Sequence, residues 1–151
     1  MARIDLTIDV GASPEICFDL SRNIDFHMRT LEETNERAVA GRTSGLIEIG
    51  ETVTWRGRHF GFYLHHTAKI TRFDRPSHFR DEMTAGWFSS FVHDHHFEAI
   101  GAGTRMRDIV EFHSPAGPVG RAIDRWLVTD HLSKLIRSRQ ELIRLEAEKA
   151  N

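Results

Sequence analysis

The stretch Phe91-Val92-His93-Asp94-His95-His96-Phe97-Glu98-Ala99-Ile100-Gly101-Ala102-Gly103-Thr104-Arg105-Met106-Arg107-Asp108-Ile109-Val110-Glu111-Phe112-His113 decides the fold. Its two halves alternate with a period of two, as strands do. Phe91, His93, His95 and Phe97 share one face, and Val92, Asp94, His96 and Glu98 share the other. The aromatic pair marks the first face as the inner one. Gly101-Ala102 suits a two-residue hairpin loop, which sets the register between the halves. Phe97 then faces Met106, His95 faces Asp108, His93 faces Val110 and Phe91 faces Phe112. This register keeps apolar residues inside on both strands and places an acid opposite a histidine. A buried carboxylate is costly unless it is paired.

Outward from this hairpin, residues 3–10 also alternate, with Ile4, Leu6, Ile8 and Val10 on one side, which reads as a half-buried strand. Ser13-Pro14 is a helix start, with serine as cap and proline at the first helical position. That helix carries Ile16, Cys17, Phe18 and Leu20 and is expected to end at Asn23, with a second short helix over residues 25–33. Between residues 36 and 113 the helical period vanishes. Strands are expected over residues 36–40, 47–49, 51–59, 63–74, 79–83, 91–99 and 104–113. Residues 119–148 read as one long helix with an apolar stripe that includes Ile123, Trp126, Leu127, Leu135, Ile136, Leu142, Ile143 and Leu145. Asp130 and His131 interrupt the stripe and are expected on the helix flank. The order predicts an α+β fold: a curved antiparallel sheet of about seven strands around a long C-terminal helix, with two short helices after the first strand. A sheet gripping a helix leaves room for a cavity between them.

The chain has 151 residues, 40% hydrophobic and 28% charged, with a net charge of -2. That composition suits one globular domain spanning residues 1–151. The near-zero charge speaks against a nucleic-acid partner. No apolar run approaches the roughly 20 residues of a membrane span, so stable membrane insertion is not expected. The N-terminus lacks the apolar core of a secretory signal, so a cytoplasmic monomer or homodimer is expected. Cys17 is the single cysteine, which excludes an intramolecular disulfide and a cysteine-based metal cluster.

Three readings of His93, His95 and Asp108 stay open. They are a satisfied polar group that fixes the sheet register, a polar patch that orients a ligand on a cavity wall, or a metal site with Asp108 as third ligand. No metal-binding motif of the usual spacing supports the last, so neither metal nor cofactor is expected. If the protein is an enzyme, His95 oriented by Asp108 is the candidate acid or base near neutral pH. No nucleophile accompanies the pair, since Cys17 lies on an apolar helical stripe where a thiol is inert. Trp55, Phe91, Phe97, Phe112 and Trp126 are the candidate cavity walls.

Several pieces together resemble a known family: Phe79-Arg80-Asp81-Glu82-Met83, Gly86-Trp87-Phe88, the 91–97 run with His93 and His95, Gly103-Thr104-Arg105-Met106-Arg107-Asp108, and Pro115-Ala116-Gly117-Pro118. They are similar to the SRPBCC superfamily, the START-like or birch-pollen-allergen-like helix-grip proteins. The branch resembled is that of the bacterial polyketide cyclase/dehydrase-like and cell-division-inhibitor-like members. The resemblance implies a deep, largely apolar cavity that takes a small apolar or aromatic molecule. The superfamily includes lipid carriers, hormone receptors, aromatase/cyclases and co-chaperones, so it does not choose between carrier, sensor and cyclase or dehydratase. It brings no catalytic set that can be carried over residue by residue, and the chain has no Rieske cysteine–histidine pattern.

Overall fold

A computed structural model of the protein describes residues 1–150. Seven strands form one antiparallel sheet: β1 (Ala2–Val10), β2 (Arg37–Gly41), β3 (Thr52–His59), β4 (Phe62–Asp74), β5 (His78–Gly86), β6 (Ser90–Ile100) and β7 (Gly103–His113). Strands β2 to β7 follow one another as a meander, and β1 closes the order by pairing with β7. Between β1 and β2, helices α1 (Pro14–Ser21) and α2 (Ile24–Thr30) and a 3-10 turn (Glu32–Thr34) carry the chain to the opposite edge. Register shifts on β2 and twice along β4 bend the sheet.

The hairpin register is the one read from the sequence. Ile100 pairs with Gly103 around Gly101-Ala102, and Phe97, His95, His93 and Phe91 lie opposite Met106, Asp108, Val110 and Phe112. Ser13 caps α1 by accepting from the Ile16 amide. Asn23 does not end that helix. Its side chain accepts from the Phe26 amide at 3.0 Å and so starts α2. Residues 47–49 are not a strand. Gly45 and Gly50, both at positive φ, turn the chain on either side of them. Ile47 is instead a buried plug, its amide donating to the Arg22 carbonyl at 3.2 Å.

The C-terminal helix runs for 33 residues as α3 (Gly117–Ile123), a π-helical turn (Asp124–Val128) and α4 (Thr129–Lys149). Its start is pinned by buried Asp124, which accepts from the Ser114 amide at 3.0 Å and from the Ser114 hydroxyl. From Val128 onward the buried positions are Val128, Ile136, Arg139, Gln140, Ile143 and Ala147, the i+3 and i+4 spacing of one helix face. Trp126 is not on that face. It stands two residues before Val128, about 200° round the helix, and is 76% exposed.

The core divides into two clusters. In one, Phe18 of α1 makes edge or tilted contacts with Phe73, Phe79 and Phe97 at 5.3, 5.2 and 5.3 Å. In the other, Ile4, Leu6, Val110 and Phe112 pack against Val128 and Ile136 of the helix. Cys17 is fully buried in the first cluster. Among the described residues no helix is long and apolar enough to cross a membrane.

Candidate functional site

Between the sheet and the helices lies a cavity of about 250 Å³. Ile24, Ile47, Val53, Trp55, Ile70, Phe91, Val128 and Ile136 supply its apolar wall. Phe60 and Trp87, 49% and 42% exposed, mark the mouth. The buried polar wall is made by Asp81, His93, His95 and Arg139.

The strand alternation that fixed the register also builds this polar wall. His93 and His95 project inward from β6, Asp81 from β5 and Asp108 from β7. Their hydrogen bonds run diagonally between strands. His93 Nε2 meets Asp108 Oδ1 at 2.7 Å, and His95 Nε2 meets Asp81 Oδ2 at 2.7 Å. His95 Nδ1 lies 3.3 Å from the same Asp108 oxygen. The second Asp108 oxygen accepts from Gln140 Nε2 at 2.7 Å, and that amide also donates to the Leu6 carbonyl at 3.0 Å. Asp108 therefore ties three strands and the long helix together. The two imidazoles stack with centroids 3.8 Å apart, and Phe79 stacks on His95 at 4.1 Å.

The protonation states follow. Burial opposes ionisation of Asp81, but the His95 hydrogen bond and the adjacent imidazoles hold it down at about 2. Burial likewise opposes ionisation of Asp108, and the hydrogen bonds from His93 and His95 hold it well below the ordinary carboxylate range. Burial pushes the His95 pKa down, but its contacts with Asp108 and Asp81 outweigh burial and raise it. His93 is lowered, first by burial and then by the charge on His95. Both carboxylates are thus anionic, His95 is the imidazole whose protonated form they stabilise, and His93 is held toward its neutral form. Since an ionised carboxylate only accepts, His93 carries its proton on Nε2, and its Nδ1 is a lone-pair acceptor.

Other histidines surround the cavity. His27 of α2 stacks on Trp55 at 4.1 Å, and burial pushes its pKa well down. His66 packs edge-on to Phe91 at 4.9 Å and is also lowered by burial. At the mouth, His59 Nδ1 and His131 Nε2 share a hydrogen bond of 2.9 Å, with buried Glu36 3.6 Å from His59 Nε2.

Of the residues expected to form the site, Trp55, Phe91, His93 and His95 line the cavity. Asp108 does not; it stands behind the imidazoles and sets them. Phe97 is covered by Phe18 and Phe112 by Phe88 and Phe91, so both are core residues and not cavity walls. Trp126 faces away. His131, expected on the helix flank, lines the cavity, while Asp130 is exposed. Sequence reasoning missed Asp81, Arg139 and Gln140. Asp81 stands two residues after Phe79 and so shares its face of β5, and residues 139 and 140 fall on the helix stripe through 132, 136 and 143. Their polarity hides them from a search for apolar periodicity. Asp81, His93 and His95 also bring one potential metal-ligand atom each within 4.8 Å of one another.

No protein-family model matches the chain, and no curated protein matches it in sequence. Solved structures do match. The TTHA0849 protein of Thermus thermophilus is similar with a TM-score of 0.79 at 17% identity, covering 99% of each chain. The Zhui aromatase/cyclase of Streptomyces sp. R1128 is similar with a TM-score of 0.78 at 11% identity, over 98% of this chain and 94% of that one. Major latex-like protein 151 of Panax ginseng gives 0.68 at 12% identity over 97% of both. These likenesses establish the fold. The chain is a helix-grip protein, and the SRPBCC resemblance of its sequence holds at the level of architecture.

Proposed function

We propose that this protein binds a small, largely apolar or aromatic molecule between the sheet and the C-terminal helix, as a cytoplasmic carrier or sensor. The observation that carries this reading is the cavity itself: an apolar chamber with a few convergent polar groups at its buried wall, the usual make-up of a small-molecule site. Trp55 and Phe91 form flat walls for such a ligand, and His93 offers a polar contact. Phe97 and Phe112 act only by supporting those walls. Native mass spectrometry of gently purified protein, followed by solvent extraction, tests the proposal. A stoichiometric small molecule released on unfolding is the expected result. A bare chain that also fails to bind small aromatic molecules overturns it.

A second reading is a cyclase or dehydratase, and one geometric feature favours it. Asp108 orients an imidazole beside the cavity, as an acid–base pair requires. His95, the candidate from sequence, has both nitrogens beside carboxylates. His93, with Nδ1 unprotonated and Nε2 held by Asp108, is the better base. In this reading His93→Gln abolishes turnover of any converted ligand while leaving its binding largely intact. Equal loss of both removes the catalytic reading.

A further inference from the structure

The cavity wall contains two arginines, Arg22 and Arg139. Arg22 is answered by carboxylates, its Nε 2.9 Å from Asp19 and its Nη1 3.0 Å from Glu48. Arg139 is not. It is 7% exposed, and its one hydrogen bond among the described residues runs from Nη2 to the Ser21 carbonyl at 2.5 Å. Its Nε is enclosed with no partner. Asp81 and Asp108 attract it only from beyond contact, and both are tied to His95 at short range. A guanidinium stays ionised even when buried. A buried cation with unused donors is costly, and its fork fits two oxygens of one anion. A single hydrophobic residue of similar length would fill this position on α4 at less cost, so the unused donors of the guanidinium call for an acceptor that the chain does not supply.

We infer that the ligand supplies it: the bound molecule carries an acidic oxygen group, a carboxylate or a phenolate, that seats on Arg139. This rests on the ligand-binding reading above and adds the charge and orientation of the ligand. The acidic end lies at the buried polar wall, and the apolar body lies along Trp55, Ile70 and Phe91 toward the mouth. A neutral apolar molecule of the same shape leaves the guanidinium as unsatisfied as before and gains only the apolar contacts.

The test is isothermal titration calorimetry at pH 7 with 2-naphthoate and 2-naphthalenemethanol, which share one ring system and differ in charge. The expected result is that the wild-type protein binds the acid at least about tenfold more tightly than the alcohol, the effect of a charge-assisted hydrogen bond. Arg139→Met, close in volume, should remove that preference while changing the alcohol's affinity by less than about threefold. Arg139→Lys should retain part of the preference, having the charge but not the fork. Thermal melting of each variant confirms that it is folded. If Arg139→Met does not fold, the wild-type ratio and Arg139→Lys decide. Equal binding of acid and alcohol by the wild type overturns the inference and leaves the cavity reading standing. So does a Met variant that loses both probes alike. Binding of neither probe by the wild type overturns both.

Discussion

Asp108→Asn removes a charge and almost no volume. In the wild-type protein Asp108 is 4% exposed and accepts from His93 and Gln140, with His95 3.3 Å away. An amide in its place still accepts through its oxygen but leaves the His95 cation with Asp81 alone. Breaking a buried ion pair by removing one partner costs about 3–5 kcal/mol. Because Asp81 remains, the lower end applies, about 3 kcal/mol. For a chain of this size each kcal/mol lowers Tm by roughly 2–4 °C, so the variant should melt about 6–12 °C below wild type at pH 7. The pH dependence has a definite sign. Burial works against the Asp108 carboxylate, but its imidazole partners hold its folded-state pKa well below the unfolded value of 3.8. Its contribution is therefore complete above the unfolded value and declines as pH falls toward the folded one. At pH 3 the gap between wild type and variant should have narrowed by about 1 kcal/mol. Calorimetric melts at pH 7, 5 and 3 measure both effects. A variant that melts within about 1 °C of wild type at pH 7 refutes the reasoning. A gap that does not narrow at pH 3 refutes the ionisation assignment.

Other outcomes follow from particular contacts. Phe18→Ala removes the ring on which Phe73, Phe79 and Phe97 converge and should cost about 3–5 kcal/mol in urea unfolding; a loss under about 1 kcal/mol would show that this cluster is not a packed core. Trp126→Ser, at a side chain 76% exposed, should shift unfolding free energy by no more than about 0.5 kcal/mol and leave the affinity for 2-naphthalenemethanol unchanged. Weakened binding would return Trp126 to the cavity. Nitrogen-15 NMR at pH 7 should find His95 protonated on both nitrogens and His93 neutral with its proton on Nε2; the reverse assignment would undo the charge distribution drawn for the site.

Much of this architecture was legible because strand alternation is a local signal. A side chain on a strand can only face one side or the other, so Phe91 and Phe97 on either side of two histidines named the inner face. The glycines at the hairpin set the register, and that register alone predicted His95 opposite Asp108. Loop residues carried a weaker signal. Ile47, flanked by glycines, has the composition of a strand residue but is held by a tertiary contact with Arg22. The C-terminal helix misled for a related reason. Its N-terminal part carries Ile123, Trp126 and Leu127 on the exposed side, where no sheet covers them. Its buried face carries Arg139 and Gln140.

By itself, then, the sequence determined the element order apart from the strand expected over residues 47–49, the helix-grip architecture and the inward placement of His93 and His95. These depend on periodicity and turn chemistry between near neighbours in the chain. Only the tertiary structure decided which residues complete the site. Asp81 reaches His95 across the sheet, Gln140 reaches Asp108 from 32 residues away, and Arg139 reaches the Ser21 carbonyl from 118 residues away. It also decided which aromatic rings border empty space and which border other rings. Periodicity says that a side chain points inward; whether it meets a cavity, a charge or another ring depends on the elements packed opposite, which no local pattern encodes.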